Sequence, residues 1–547
     1  MYPIHRIWFR VVAAGVLAIG IAGVASAQPV PTTPGAKKGG VAEKAAPVRS
    51  VPETPPGTIL GPGEYPIDLA TALQLAGAEN PELLLARQRV VEATALKQLA
   101  AAQLLPNLNF GTNYDGHRGT LQQSAGNILK VNRDSLYLGL GANAVGAGTV
   151  TIPGLSYNLN VGTAWFGFLA SRQQVTTAGL TSEAVRNDVL LRVCLTYTDL
   201  LRAEGRRAIA AKNRTEAAEL ARLTDVYAKA GQGRKADADR ATVELRRRDA
   251  EFTQAEADTL TASARLCQLL NLDPSTRLKP IDGWAVPNAL VPDPLPLPEL
   301  LAISLLQRPE LAARRSEVQQ TLYDLSLAKV LPFSPNVIMG FSAGGFGGGS
   351  NLVSTPPGFV SGNGSVTLAP RFSNLDGRTD FDVAVFWTFR NLGVGNVALV
   401  RAADSRVKQT RLREMETLNL VRTQVAESHA KVVARSLQIE ATEKAVRASS
   451  EAYDEDLTRI KGGQGLPLEV IDSLRLLGRS RYDYLDTIID YNRAQFQLWV
   501  ALGRPPASVL ARPVPADLVP RANIEILAGP RIFPIPLVLP MPSPVKP

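Results

Sequence analysis

The chain has 547 residues, with Lys+Arg 59 against Asp+Glu 50 and a formal net charge of +9. The surplus is modest and basic residues stand beside acidic ones, as in Arg246-Arg247-Arg248-Asp249, so solvated helix faces are expected and nucleic-acid binding is not. The histidines are His5, His117 and His429, none of them within a ligand or triad motif, so the composition predicts no enzyme chemistry, no catalytic residue, no metal site and no cofactor.

At the N-terminus His5, Arg6 and Arg10 precede an apolar run from Val11 to Val24 that closes on Ala25-Ser26-Ala27. This is the pattern of a secretory signal peptide, so residues 1–27 are expected to leave on export. The run is too short to span a bilayer as a helix, and no later stretch reaches the roughly 18 to 20 uninterrupted apolar residues a spanning helix needs. No cysteine lies near the cut to carry a lipid, so membrane attachment must come from the folded chain itself. Residues 28–64 read as a proline-rich linker, Pro280 to Pro298 as a second linker, and residues 511–547 as a proline-rich tail.

Between the proline-rich segments the chain says the same thing twice, over 65–290 and 291–510. Asn80-Pro81-Glu82-Leu83 returns as Arg308-Pro309-Glu310-Leu311, and Leu104-Leu105-Pro106 as Val330-Leu331-Pro332. Gly231-Gln232-Gly233 returns as Gly463-Gln464-Gly465, and Leu269-Leu270-Asn271-Leu272 as Ala501-Leu502-Gly503-Arg504. Four matches in register predict an internal two-fold repeat.

Each repeat reads as one helix, two strands and a very long helical hairpin. Asp68 is the expected N-cap of the first helix and Pro106 its end. Beyond Pro106, Leu108, Phe110, Thr112 and Tyr114 alternate with Asn107, Asn109, Gly111, Asn113 and Asp115, giving a strand with one apolar and one polar face. In the second repeat Val337, Met339, Phe341 and Ala343 form one such strand, and Phe381, Val383, Val385, Trp387 and Phe389 the next. The run Gly344 to Gly349 lacks the Lys and Ser/Thr of a phosphate loop and reads as a flexible external loop.

The first repeat offers one strand candidate too many, because Leu136, Leu138 and Leu140 alternate as well as Leu155, Tyr157, Leu159, Val161 and Trp165. An odd number of crossings would leave the next helix on the wrong side. The barrel strand is placed at Leu155 to Phe166, which runs directly into the helix, and Ser135 to Ala142 goes to an external loop; the other choice stays open.

Helices are expected from Ser182 to Lys229 and from Leu412 to Lys461, each about 70 Å long at 1.5 Å per residue. In the last helix Val470, Leu474, Leu477, Arg481, Tyr484, Ile488, Tyr491, Gln495 and Leu498 step by four and three, a coiled-coil seam. Cys194 and Cys267 flank the turn at Gly231 at nearly equal distances, so they are either bridged or two small buried thiols, the simpler reading.

Four two-faced strands per chain cannot close a sheet alone, and an open edge is forbidden in lipid. Closure with copies of the same chain predicts a cyclic homo-oligomer, the apolar face toward lipid and the Asn/Asp/Gly face toward water. Trp165, Phe166, Trp387 and Phe389 stand at strand ends, where an interfacial belt belongs; they would also suit a soluble β-core.

From about Tyr65 to about Pro505 these motifs resemble the outer membrane efflux protein (TolC) family, in the duplicated Asn80-Pro81-Glu82-Leu83 helix, the Gly393-x-Gly395 helix start, and the Gly463-Gln464-Gly465 turn before Leu468-Glu469-Val470-Ile471-Asp472. The resemblance implies a mainly α fold in which helical hairpins form an α-barrel, with four strands per chain contributed to a homotrimeric transmembrane β-barrel of twelve strands in outer-membrane lipid. It also implies an outer-membrane location reaching into the periplasm, a periplasmic adaptor (membrane fusion) protein and an inner-membrane transporter as partners, and work as the exit duct of an efflux or type I secretion system.

In the family, inward carboxylates close the periplasmic end. Glu469 and Asp472 stand at those positions, three apart on one helix face, with Asp237 near candidate latch partners Arg234, Lys235 and Arg459. The same acids would also suit an exposed helix start. Gly231, Gln232, Gly233, Gly463, Gln464 and Gly465 are the candidate adaptor-docking tips. The competing class is a periplasmic coiled-coil adaptor or scaffold without a channel, which would not need two-faced strands twice.

Overall fold

The computed structural model describes residues 63–122, 126, 128–144, 149–282, 285–291, 296–350 and 374–506. The signal peptide, nearly all of the first linker and the C-terminal tail lie outside the described residues. In chain order the first elements are β1 (Gly63–Ile67), α1 (Leu69–Glu79), α2 (Pro81–Ala102), β2 (Asn107–Leu108) and β3 (Phe110–Gln122). Next come β4 (Ile128–Ala144), β5 (Val150–Pro153), β6 (Leu155–Asn160), α3 (Val161–Lys229), α4 (Lys235–Leu270) and β7 (Thr276–Pro280). The chain continues through α5 (Leu297–Gln307), α6 (Pro309–Val330), β8 (Asn336–Ser350), β9 (Asn374–Phe386), α7 (Val394–Lys461) and α8 (Pro467–Ala501).

Asp68 caps α1 as expected, its Oδ1 accepting from the Thr71 N–H at 2.9 Å. The single helix expected up to Pro106 is broken in two, because a proline disfavours helical backbone in the residue before it. Asn80 is extended at φ −65, ψ 122, and its side chain then caps α2 by accepting from the N–H groups of Glu82 and Leu83. Arg308 before Pro309 separates α5 from α6 with nearly the same backbone, φ −70, ψ 120. Both residues reach the far end of a hairpin: Asn80 Nδ2 donates to the Leu269 carbonyl at 2.8 Å, and Arg308 Nε to the Ala501 carbonyl at 2.9 Å.

β1 and β7 form a small parallel pair, and the remaining strands form one antiparallel sheet. β8 pairs along one side with β9 and along the other with β4 (Ala343 to Ser350) and then β6 (Asn336 to Phe341). β3 lies on the other side of β4, and β2 on the other side of β6. β4 and β6 are therefore two parts of one track. Leu140 pairs with Ala343 and Leu155 with Phe341, and the Asn109 backbone bridges the joint, accepting from Gly141 N–H at 2.9 Å and donating to the Gly154 carbonyl at 2.6 Å. Between the two parts the chain leaves the sheet as a β4–β5 hairpin, with Ala142 opposite Ile152 and Ala144 opposite Val150.

This corrects the strand placement. Ser135 to Ala142 is not an external loop but part of β4, and the strand expected from Leu155 to Phe166 stops at Asn160, whose Oδ1 caps α3 by accepting from the Thr163 N–H at 2.9 Å. The surplus candidate arises because an inserted hairpin splits one strand, which keeps four tracks in the sheet. The loop reading of Gly344 to Gly349 is also overturned: these glycines lie in β8 between β4 and β9. They are glycines because a Cβ at Gly344 would sit 2.6 Å from the Leu138 carbonyl oxygen, and one at Gly348 2.0 Å from that of Asp134.

The long helices exceed expectation, because α3 begins at Val161 and α7 at Val394. At 69 and 68 residues each extends about 100 Å. Beside the sheet, α2 lies against α3, α3 against α6 and α6 against α7; farther on, α4 lies against α3, α3 against α8 and α8 against α7. Eight of the nine expected seam positions of α8 are buried, all but Tyr484. The core is a string of small clusters, one of which joins four helices through Leu220, Ala241, Tyr453 and Leu474. The described part of the second linker around Leu290 and Val291 is packed rather than free, since Val291 is buried with Leu300, Val425 and Leu498, and Gln495 Oε1 accepts from the N–H groups of Leu290 and Val291.

Candidate functional site

Directly paired residues in an antiparallel sheet share a face, so the register sorts the two faces. On one face lie the rows Phe110–Leu140–Ala343–Thr379, Leu155–Phe341–Phe381, Tyr157–Met339–Val383 and Leu159–Val337–Val385. Its large apolar residues face outward with no described residue covering them: Phe110 is 73% exposed, Leu138 66%, Phe381 64% and Val383 54%. The opposite face carries Asn113–Tyr137–Phe346–Asp376, Gly111–Gly139–Gly344–Arg378, Ser342–Asp380 and Ser156–Gly340–Asp382. Arg378 pairs with Asp380 at 2.8 Å and stacks over the Phe346 ring at 4.9 Å. Among the described residues the outer edges of β3 and β9 have no partner strand.

Aromatic residues gather where the sheet meets the helices. Trp387 and Phe389 follow β9, are exposed, and Trp387 Nε1 donates to the Phe333 carbonyl at 3.2 Å. Trp165 and Phe166 lie in the first turns of α3 rather than at a strand end, because the helix starts earlier than expected; Trp165 is exposed and Phe166 half-buried. No helix among the described residues is long and apolar enough to cross a membrane.

At the opposite end the two hairpin turns have matching geometry. Gly231 and Gly463 both adopt φ +74, the left-handed conformation glycine tolerates at a helix end. The Gln232 N–H donates to the Tyr227 carbonyl at 2.9 Å, and the Gln464 N–H to the Arg459 carbonyl at 3.0 Å. Tyr227 Oη donates to the Ile460 carbonyl at 3.3 Å, holding the two tips side by side. Gly233 and Gly465 complete the turns, each leaving little room for a Cβ over the preceding helix end.

Glu469 sits in the first turn of α8, where its Oε2 accepts from the Leu466 N–H at 3.4 Å and lies 3.9 Å from Arg459 Nη1. Asp472 is the open one, its side chain 65% exposed and 3.6 Å from Arg475. Asp237 stands on α4 and pairs with Arg240 at 3.2 Å, not with Arg234, Lys235 or Arg459.

Sequence reasoning missed a buried ionic network deeper in the hairpins. Glu244, with a side chain only 1% exposed, holds Arg248 and Arg475 at 2.9 Å each. Arg481 makes a two-pronged contact with Glu216 at 2.7 and 2.8 Å and donates to Asn213 Oδ1 at 2.8 Å. Nearby, burial and the charge of Glu216 push the Tyr453 phenol up, and burial with Glu251 pushes Tyr482 up, so both stay neutral. The out-of-place Arg481 in an apolar seam was the available signal; Glu244 and Arg248, four apart on a charged helix, look like any surface pair.

Cys194 and Cys267 are free thiols, both fully buried in one cluster with Tyr197 and Leu266. Cys267 Sγ donates to the Thr276 carbonyl at 3.4 Å. Burial pushes the Cys194 thiol up to about 12.

Residues 72–272 match the outer membrane efflux protein family. No curated protein matches the chain. Among solved structures, the chain is similar to the Campylobacter jejuni CmeC outer membrane channel, at 16% identity and a TM-score of 0.60 over 80% of this chain and 85% of that one. It is similar to the outer membrane protein VceC from Vibrio cholerae, at 16% identity and a TM-score of 0.59 over 80% and 96%. It is also similar to the Neisseria gonorrhoeae MtrE outer membrane channel in its open state, at 19% identity and a TM-score of 0.58 over 80% and 90%. Residues 72–272 thus resemble the outer membrane efflux protein family by sequence, and the chain as described shares the fold of these outer-membrane proteins.

Proposed function

We propose that the chain is the outer-membrane exit duct of a tripartite efflux or secretion assembly, a passive conduit rather than an enzyme. The observation that carries this is the two-faced sheet, apolar and exposed on one side and charged on the other, running directly into helices about 100 Å long. A soluble β-core would cover Phe110, Leu138 and Phe381; outer-membrane lipid covers them without a partner sheet.

The free edges of β3 and β9 support closure with further copies, and a homotrimer makes a twelve-strand barrel from four tracks per chain. Exposed apolar residues on the edge helices, Val91 and Leu99 of α2 and Leu412 and Met415 of α7, support the same assembly. The matching breaks at Asn80 and Arg308, with their matching carbonyl contacts, and the matching tip turns support an internal duplication of 65–290 and 291–510. In this reading Trp165, Trp387 and Phe389 mark the inner membrane–water boundary, and residues 1–27 direct export.

At the periplasmic end the tips at Gly231–Gly233 and Gly463–Gly465 dock a periplasmic adaptor, which links the duct to an inner-membrane transporter. Copies of Asp472 form the acidic ring of the entrance, because it is the open carboxylate; Glu469 is tied into its own helix start, and Asp237 is held by Arg240. The test is single-channel recording in planar bilayers. Purified protein should conduct, and replacing Glu469 and Asp472 by alanine should raise its anion conductance. A protein that stays soluble and monomeric without detergent would instead favour the coiled-coil scaffold.

A further inference from the structure

The hairpin that splits the β4–β6 track lies flat on the polar face of the sheet. Asn113 points from that face, and its side chain clasps the backbone of Ala144, Oδ1 accepting from the N–H at 2.9 Å and Nδ2 donating to the carbonyl at 3.4 Å. Asn109 Nδ2 donates to the Pro153 carbonyl at 2.7 Å, and the Gly154 N–H donates to Ser342 Oγ at 3.3 Å. Tyr137, in the same row as Asn113, is sealed beneath with Ala144 and Val150 in a small apolar cluster, its hydroxyl donating to the Leu140 carbonyl at 2.6 Å. The departure is built into the backbone: Gly141 has φ +106, where a Cβ would meet the Ile152 carbonyl oxygen at 2.7 Å, and Asn143 has φ +62. Among the described residues of the hairpin, those left exposed, Asn143, Thr149, Thr151 and Ile152, are uncharged.

We infer that the two described arms of this hairpin, 141–144 and 150–153, form an internal collar in the duct, a second narrowing separate from the periplasmic entrance. The inference rests on the barrel reading above, in which the polar face lines the lumen; three copies then carry three inward hairpins at one height. Because the arms present only neutral residues, the collar selects by size rather than by charge, whereas the wall beside it carries Asp376, Arg378 and Asp382.

The test is cysteine labelling from outside intact cells, with a small charged maleimide and with a maleimide on a long polyethylene glycol chain. The native thiols are fully buried, so the background is silent. Thr120→Cys reports the outer end of β3, and Asn158→Cys, exposed on the polar face in β6, reports the lumen on the helix side of the collar. The expected result is that Thr120→Cys takes both reagents and Asn158→Cys only the small one. Joining Gly141 directly to Leu155, which restores one continuous strand, should remove the size limit at Asn158→Cys. The milder pair Asn109→Ala with Asn113→Ala, which unclasps the arms, should relax it if the joined chain does not assemble. Entry of the large reagent to Asn158→Cys in the otherwise unchanged protein overturns the collar alone, as does a size limit that survives both changes. A Thr120→Cys that no reagent reaches overturns the outer-membrane reading and the collar with it.

Discussion

The sheet and the lower helical hairpins partition their residues in opposite senses. In the sheet, Phe110, Leu138, Phe381 and Val383 lie bare on the surface; in the hairpins, Glu244, Arg248 and Arg481 are enclosed between α3, α4 and α8. In the exit-duct reading proposed above, the two regions meet different solvents. Lipid has no hydrogen bonds to offer, so the sheet must satisfy its backbone by pairing and turn apolar side chains outward. The hairpins stand in water, where a helix seam is held by apolar contact and an enclosed charge persists only with its partners at hydrogen-bond distance.

The largest effect should come from reversing the character of the sheet's outer face. Val383→Arg should cost about 2–4 kcal/mol per copy at the membrane midplane and abolish the oligomer band on an unheated gel. Asp382→Ala, one residue away on the other face, should leave that band intact. If both behave alike, the two faces do not meet different solvents.

Next in size is the enclosed charge. Glu244→Ala leaves the enclosed Arg248 with Glu251 as its remaining carboxylate and should lower stability by about 1–3 kcal/mol, read as an earlier thermal transition of the detergent-solubilised protein. The exposed Glu219–Arg222 pair makes the same kind of contact at 2.9 Å in open water, and Glu219→Ala should leave the transition where it is.

A smaller effect sharpens the comparison of the two tips. Gly463→Ala meets no atom within 4 Å, so it isolates the backbone cost of φ +74, about 1 kcal/mol, and Gly231→Ala should match it. The smallest is a null at neutral pH. Neither native thiol should react with maleimide in the folded protein, while both should after denaturation, and the mass of the unreduced chain should show two free thiols. With the folded Cys194 thiol raised from 9.0 to about 12, its burial stabilises the fold fully below pH 9, and that contribution fades as pH climbs toward 12.

Local signals in the sequence located the helix cap at Asp68, the tip glycines and the alternating strands, since each depends on neighbours within a few residues. The sequence did not reveal that Asn80 and Arg308 would end one helix and open another, although Pro81 and Pro309 supply the reason. It pointed to the carboxylates near the second tip but could not rank them. Only the folded chain turns Glu469 back onto Leu466 and Arg459 and leaves Asp472 in the open.

What the sequence by itself determined is the periodic content: the two-faced strands, the seam of α8 and the turns that reverse the hairpins. What only the tertiary structure decided is which segments share a track. Leu136, Leu138 and Leu140 and then Leu155, Tyr157 and Leu159 each alternate correctly, and nothing local says that they are one strand interrupted by a hairpin. That follows from register against β8 on one side and β2 and β3 on the other, where Asn109, between β2 and β3, bonds both to Gly141 and to Gly154, residues close in space because the chain between them folds back on itself. Alternation is a property of neighbours along the chain, whereas register is set by pairing with distant strands.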